Sequence, residues 1–112
     1  MNDRELADKV VALGVGSFGL IAAYECDARL YRIGSIIIGN TKAFVRDWRV
    51  AGALMEKCSG VNTVRRNSQW KSYAVRNYGV SLTASNDNMP RAIIGACCEA
   101  LSDKRTVEAL ND

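Results

Sequence analysis

The C-terminal part of the chain constrains the fold more than any other part of the sequence. Residues 80–85 alternate between apolar and small polar side chains, which is typical of a strand that is buried on one face. Residues 70–77 are another strand candidate, and Tyr78-Gly79 suits a turn between the two strands. Asn86 or Asn88 can then cap a helix. The predicted apolar face of that helix consists of Ile93, Ile94, Cys97, Ala100 and Leu101.

The preceding sequence contains two more helices and three more strand candidates. A first helix is predicted to begin at Asn2 or Asp3 and to end at Gly14. The segments 18–24 and 30–38 predict a hairpin, with an irregular loop as the alternative, and 61–66 is a short strand candidate.

The second helix is predicted to run from Asn40-Thr41 to about Cys58. An apolar stripe repeats along it at spacings of four and three residues and is expected to be buried; it comprises Phe44, Trp48, Ala51, Met55 and Cys58. Gly52 inside this helix costs about 1 kcal/mol relative to alanine, which suggests a close packing neighbour.

These elements predict an α+β fold, in which helices pack on a mainly antiparallel sheet in a single layered domain. The predicted element order is α-ββ-α-βββ-α. Residues 1–101 would form the domain, and residues 102–112 would form a polar C-terminal tail or a short helix.

Composition argues against most catalytic classes. The chain has 112 residues, of which 48% are hydrophobic and 24% charged, as is ordinary for one globular domain. It contains no histidine, which removes the commonest general base and the commonest metal ligand. The four cysteines lack Cys-x-x-Cys spacing, and neither a signal peptide nor a membrane-spanning run is evident. We therefore expect a cytoplasmic protein that is not an enzyme, with no catalytic residues, cofactor, metal or membrane partner.

Two local patterns suggest chemistry but lack the necessary context. Gly14–Gly19 satisfies G-x-G-x-x-G, but a dinucleotide site requires a strand before the glycines and a helix after them. Here a helix comes first and a strand candidate follows. The adjacent Cys97 and Cys98 point about 100° apart on a helix, and Cys97 aligns with Ile93 as a core residue would.

One charge feature remains. Between Lys57 and Asn86 there is no acidic residue, although five basic residues lie in this segment. We consider four of them as a candidate site for nucleic acid or an acidic partner: Arg65, Arg66, Lys71 and Arg76. Strand periodicity opposes convergence, because Arg65 and Arg66 are adjacent, and Lys71 and Arg76 are separated by an odd number of positions. Solvated charge or protection of a sheet edge is the alternative interpretation.

Several motifs resemble one known family. Residues 48–58, the tryptophan-led strand at Trp70, and the Pro-x-Ala-Ile-x-x-Ala pattern of helix 89–101 are similar to those of the phage ABA sandwich domain family. The matching positions of the last pattern, with the two residues that precede it, are Ala84, Ser85, Pro90, Ala92, Ile93 and Ala96. Tyr31 matches the tyrosine that this family shows before its middle helix.

The resemblance implies an α/β/α layered fold and a bacteriophage or prophage origin, and it carries over no catalytic residue. The expected function is that of an uncharacterised phage or prophage accessory protein, acting as a non-enzymatic module that binds a host or phage protein. Homo-oligomers are compatible with this expectation. The alternative is weak nucleic-acid binding through the basic 57–86 segment.

Overall fold

The structure is a computed structural model, which describes residues 2–14, 18–23, 29–76 and 80–102. Within these ranges the chain forms four helices and six strands. The helices are α1 (Asp3–Ala12), α2 (Thr41–Phe44), α3 (Trp48–Met55) and α4 (Met89–Ser102). The strands are β1 (Phe18–Ala23), β2 (Arg29–Ile33), β3 (Ile36–Gly39), β4 (Gly60–Arg66), β5 (Gln69–Arg76) and β6 (Val80–Asn86). The predicted α+β class and the general order of its elements are confirmed.

The described strands form two antiparallel sheets. Sheet 1 has the order β1-β2-β3 and sheet 2 the order β4-β5-β6. The predicted pairing of the first two strand segments is confirmed, because β1 pairs with β2. The segment 30–38 is two strands instead of one, because Gly34 takes a positive φ of 60° and turns the chain between them. The predicted Tyr78-Gly79 turn and the tail 103–112 lie outside the described residues.

Helix α4 is the centre of the molecule. Its residues from Pro90 to Cys98 are all buried, and it packs against β5 and β6 of sheet 2 on one side and against α3 and α1 on others. A helix buried nearly all round has little need of a polar face. Its apolar face is as predicted, since Ile93 is 2% exposed and Cys97 is fully buried.

Sheet 1 packs on the other helices through an aromatic cluster. Tyr31 of β2 stacks on Phe44 of α2 with ring centroids 4.3 Å apart, and Phe18 approaches Phe44 edge-on at 6.0 Å. The Tyr31 hydroxyl lies 3.1 Å from the Thr41 hydroxyl and accepts a hydrogen bond from Arg29 at 3.3 Å. The buried tyrosine therefore has partners for its polar end.

The predicted single helix 40–58 is wrong. The chain leaves the helical path after α2, and Asp47 begins α3 as its N-cap, with its carboxylate accepting the Arg49 N–H at 2.8 Å. The restart turns the helix so that Val50, Ala51 and Leu54 are buried. Trp48 and Met55, which were expected in the core, are 56% and 37% exposed.

The predicted close neighbour of Gly52 is also wrong, because a Cβ placed there would meet nothing within 4 Å. The glycine that permits a close approach is Gly95 of α4. A Cβ on Gly95 would lie 3.0 Å from the Cβ of Ala84 on β6. The absence of a side chain at Gly95 therefore sets the distance between α4 and sheet 2.

Asp3 links α1 to α4 and to the connection between α2 and α3. Its carboxylate accepts hydrogen bonds from Arg46 at 2.8 Å and from Arg91 of α4 at 2.9 Å. Partial burial favours a higher pKa for Asp3, but the hydrogen bonds and charges of the two guanidinium groups outweigh it and lower the pKa. Asp3 is therefore ionised at neutral pH and neutralises charge at the largely buried Arg91.

The layering differs from the α/β/α arrangement that the family resemblance implies. Within the described residues, sheet 2 is packed by α4 on one face, and the alternate positions of its strands are exposed. The exposed positions include Asn62, Arg66, Gln69, Thr83 and Ser85. No helix among the described residues has the length and apolar character needed to cross a membrane.

Candidate protein-binding surface

The β4–β5 hairpin places the predicted basic residues on two different faces of sheet 2. In its register Arg65 pairs with Trp70, while Arg66 pairs with Gln69. Arg65 lies with its guanidinium carbon 5.3 Å from the centre of the Trp70 ring. Because neighbouring residues in a strand point to opposite faces, Arg66 points away from Arg65, as the sequence predicted.

Only part of the predicted basic cluster is brought together. Arg66 and Lys71 share the face of sheet 2 opposite α4, and both line an open depression of about 360 Å³. Arg65 lies on the other face. Arg76 pairs with Val80 through its backbone, but its side chain lies outside the described residues. The structure thus brings Arg66 and Lys71 together on one face of sheet 2. Because Arg65 lies on the other face, it does not support a single site made of all four residues.

An exposed apolar surface lies on α3. Trp48, Gly52 and Met55 fall within about 60° of one another around the helix axis, because each residue turns the helix by about 100°. The first is 56% exposed and the last 37% exposed, and the glycine between them leaves open space. We call these three residues the α3 surface.

The local sequence holds the α3 surface in place through the cap that begins the helix. The Asp47 carboxylate binds the Arg49 guanidinium at 2.7 and 2.9 Å in addition to the Arg49 N–H. These hydrogen bonds from Arg49 lower the pKa of Asp47 against the opposing effect of partial burial. On the other side of the helix, Val50 and Leu54 are fully buried. The helix is therefore fixed in rotation, and Trp48 is held outward.

Sheet 1 carries a second exposed apolar area on its two edge strands. Leu20 and Ile21 of β1 are 41% and 47% exposed, and Ile36 and Ile37 of β3 are 45% and 63% exposed. Charged side chains commonly protect the edges of sheets against association, but neither of these two strands contains one.

A larger cavity of about 440 Å³ lies between β6 and α4. Its charged lining residues are Arg91 and Glu99, and both already have partners. Arg91 binds Asp3 at 2.9 Å, and Glu99 binds Lys9 at 3.3 Å. Their charges are thus used in holding the helices together, and the remaining lining is small and uncharged.

The two buried cysteines of α4, Cys97 and Cys98, are not activated nucleophiles. A hydrogen bond with Cys58, together with burial, raises the pKa of Cys97, and burial raises that of Cys98 to about 11. Thiols with such pKa values stay protonated at neutral pH, whereas thiol chemistry needs the thiolate. In the described ranges, no three His, Cys, Asp or Glu residues are grouped so as to hold a metal ion. Cys26 lies outside the described residues.

Comparisons with protein-family models, with curated proteins and with solved structures find no match for this chain. The resemblance to the phage ABA sandwich domain family therefore stays a prediction.

Sequence reasoning missed the α3 surface because it assigned Trp48 and Met55 to the core. The signal that could have revealed it is Asp47, which is a favoured N-cap residue directly before Trp48. A helix that begins at Trp48 has only about two turns. In the structure its buried residues are Val50, Ala51 and Leu54, so Trp48 and Met55 lie outside the buried side.

Proposed function

We propose that this protein is a non-enzymatic protein-binding module that uses the α3 surface to dock a partner. The family resemblance implies a phage or prophage origin, so we expect the chain to be a phage or prophage accessory protein whose partner is a host or phage protein in the cytoplasm of a bacterial cell. The observation that supports this proposal is the 56% exposure of Trp48 on a helix whose rotation is fixed.

The residue types of the α3 surface fit a binding centre. Tryptophan is enriched among the residues that dominate binding energy at interfaces, and methionine is enriched in interface cores and adapts to partners of different shape. Gly52 lies between Trp48 and Met55 and would let a partner side chain approach the helix backbone. An amphipathic helix or an apolar loop of the partner would fit this arrangement.

The placement of charge also favours this surface. Arg49, the charged residue next to Trp48, is held by Asp47 at 2.7 Å, so its charge is locally neutralised. Burying Trp48 against a partner would therefore not require the removal of an unpaired charge from water. The basic residues of β4 and β5 offer no comparable four-residue site, because the structure divides them between two faces.

Site-specific crosslinking in cells would test the proposal. An aromatic photo-crosslinking residue, which keeps a ring at this position, would replace Trp48, or, as a matched control, the exposed Lys42 of α2, in a bacterial host that carries the phage or prophage. We expect a defined host or phage protein to crosslink from position 48 and not from position 42. That protein would then be purified for a binding titration.

In the titration we expect Trp48→Ala to weaken binding by at least about tenfold, as truncation of a central interface residue does. Met55→Ala should weaken it by a smaller factor, and Lys42→Ala should leave it unchanged. Equal crosslinking from both positions, or wild-type affinity of Trp48→Ala, would contradict the proposal. A crosslink from position 48 to a second copy of the chain would assign the surface to a homodimer instead.

A further inference from the structure

Arg66 and Lys71 of the β4–β5 hairpin carry positive charge on one face of sheet 2. In the described ranges, several basic residues elsewhere are ion-paired at 2.7–3.3 Å: Lys9, Arg29, Arg46, Arg49 and Arg91. No such pair involves Arg66 or Lys71 within the same ranges, because the surrounding segment contains no acidic residue. Neither charge is neutralised by a carboxylate within these ranges, so both can bind an external anion, although the Lys71 ammonium also lies over the Tyr73 ring at 5.7 Å from its centre.

The depression around these two residues is lined entirely by hydrogen-bond donors. Arg66 and Lys71 are joined there by the side chains of Asn67, Gln69 and Ser85, each of which can donate to an oxygen. The cross-strand register sets this grouping, since Arg66 pairs with Gln69 and Lys71 pairs with Ser85. Asn67 and Ser68 take positive φ values of 50° and 65° in the tight turn, which brings Arg66 and Gln69 together.

An aromatic side chain continues this face along β5. Tyr73 follows Lys71 by two positions and therefore points to the same side of the sheet. Its ring is partly exposed, and the Lys71 ammonium lies 5.7 Å from the ring centre. A partly exposed ring beside a cation provides both a stacking surface and a phosphate contact.

We propose that this face of sheet 2 binds single-stranded nucleic acid, with backbone phosphate at Arg66 and Lys71 and a base stacked on Tyr73. This proposal is independent of the α3 surface. Single strands fit better than a duplex, because the aromatic ring lies in the middle of a sheet face and can stack only on an unpaired base.

Two cations set the expected strength of binding. Each phosphate neutralised on a single strand contributes about −0.7 to the slope of log affinity against log salt, so the slope should be about −1.4. Binding should therefore be weak at physiological salt and clearly measurable only at low salt. This slope separates a two-cation site from the four-residue cluster that the sequence suggested.

Fluorescence anisotropy with labelled single-stranded RNA, single-stranded DNA and duplex DNA tests this inference on the full chain. We expect Arg66→Ala with Lys71→Ala to reduce single-strand affinity by at least about tenfold at low salt. Tyr73→Leu should weaken single-strand binding and leave any residual duplex binding unchanged.

The hairpin provides a matched control in Arg65. Arg65→Ala removes the same charge one position away but on the opposite face, and we expect it to leave affinity within about threefold of the wild type. Lys57→Ala combined with Arg65→Ala removes two positive charges, as the double variant Arg66→Ala with Lys71→Ala does, and it therefore controls for the change in net charge. Circular dichroism melts of each variant would establish that it is folded before its affinity is compared.

Three results would overturn the inference. One is an equal loss from Arg65→Ala and Arg66→Ala, which would indicate attraction by net charge. Another is equal affinity for duplex and single strands with no effect of Tyr73→Leu. The third is displacement of RNA by polyglutamate at equal charge concentration, which would indicate an acidic protein partner. None of these results bears on Trp48, so this inference and the proposed function fail separately.

Discussion

Ile93 and Trp48 differ widely in solvent exposure although both are large apolar side chains on helices. Ile93 is 2% exposed in the centre of α4, whereas Trp48 is 56% exposed at the first position of α3. Burial determines what truncation costs, because a buried side chain loses its transfer free energy and leaves a cavity. Comparing the loss of unfolding free energy when each residue is truncated to alanine therefore tests which of the two side chains lies in the core.

We predict that Ile93→Ala lowers the free energy of unfolding by about 2–5 kcal/mol, as truncations of buried aliphatic residues do. Denaturant unfolding followed by circular dichroism would measure this change. A loss below about 0.5 kcal/mol would show that α4 is not the centre of the core.

For Trp48→Ala we predict a loss of only roughly 1 kcal/mol, because more than half of the side chain is already in solvent. The same unfolding experiment applies, with Ile93→Ala as the reference. A loss as large as that of Ile93→Ala would mean that Trp48 is buried within the chain, and the α3 surface would then not exist.

At the scale of the helices and strands, the carboxylate of Asp3 connects α1 to its neighbours. It forms ion pairs with Arg46, between α2 and α3, and with Arg91 of α4. Its pKa is lowered in the folded chain, so its contribution to stability is complete above the unfolded value of about 3.9. That contribution is lost as the pH falls through the lowered folded pKa.

We predict that Asp3→Asn lowers stability by about 1.5–3 kcal/mol at neutral pH, the usual range for hydrogen bonds to charged groups. Below the folded pKa of Asp3 the difference between the wild type and the variant should shrink. Denaturant unfolding from neutral pH down to about pH 2 would check this. A difference that stays constant over that range would contradict the ionic role of Asp3.

The two helix-interior glycines are predicted to respond in opposite directions. Gly52→Ala meets no neighbour and should stabilise the chain by up to about 1 kcal/mol through helix propensity. Gly95→Ala brings a Cβ to 3.0 Å from that of Ala84, and overpacking of this kind costs about 1–3 kcal/mol, more than the propensity gain. Thermal melts would compare the two variants. A more stable Gly95→Ala chain would show that α4 and β6 can separate without cost.

How far the sequence predicts these elements depends on whether the signal is local. Helix α4 and the alternation in β6 follow from short-range patterns, and so does the opposite direction of Arg65 and Arg66. The separation into two sheets depends on long-range pairing, which no local pattern contains. For α3, periodicity gives the angles between side chains but not which side faces the core, so Trp48 was assigned to the wrong side.

At the scale of the whole molecule, the described surfaces differ in polarity and charge. Apolar side chains are exposed on α3 and on the edges of sheet 1, whereas uncompensated positive charge lies on the open face of sheet 2. The α3 surface is the one on which the proposed function depends.

The exposure of Trp48 in solution is the most direct test of that surface. The chain would be labelled with 5-fluorotryptophan, and the ¹⁹F resonances of Trp48 and Trp70 would be recorded in H₂O and in D₂O over a range of protein concentrations. Trp48→Phe assigns the two signals. We expect a solvent isotope shift that is larger for Trp48 than for Trp70 and is unchanged on dilution. A small shift at Trp48, or one that grows only on dilution, would show that the chain itself or a second copy covers the surface.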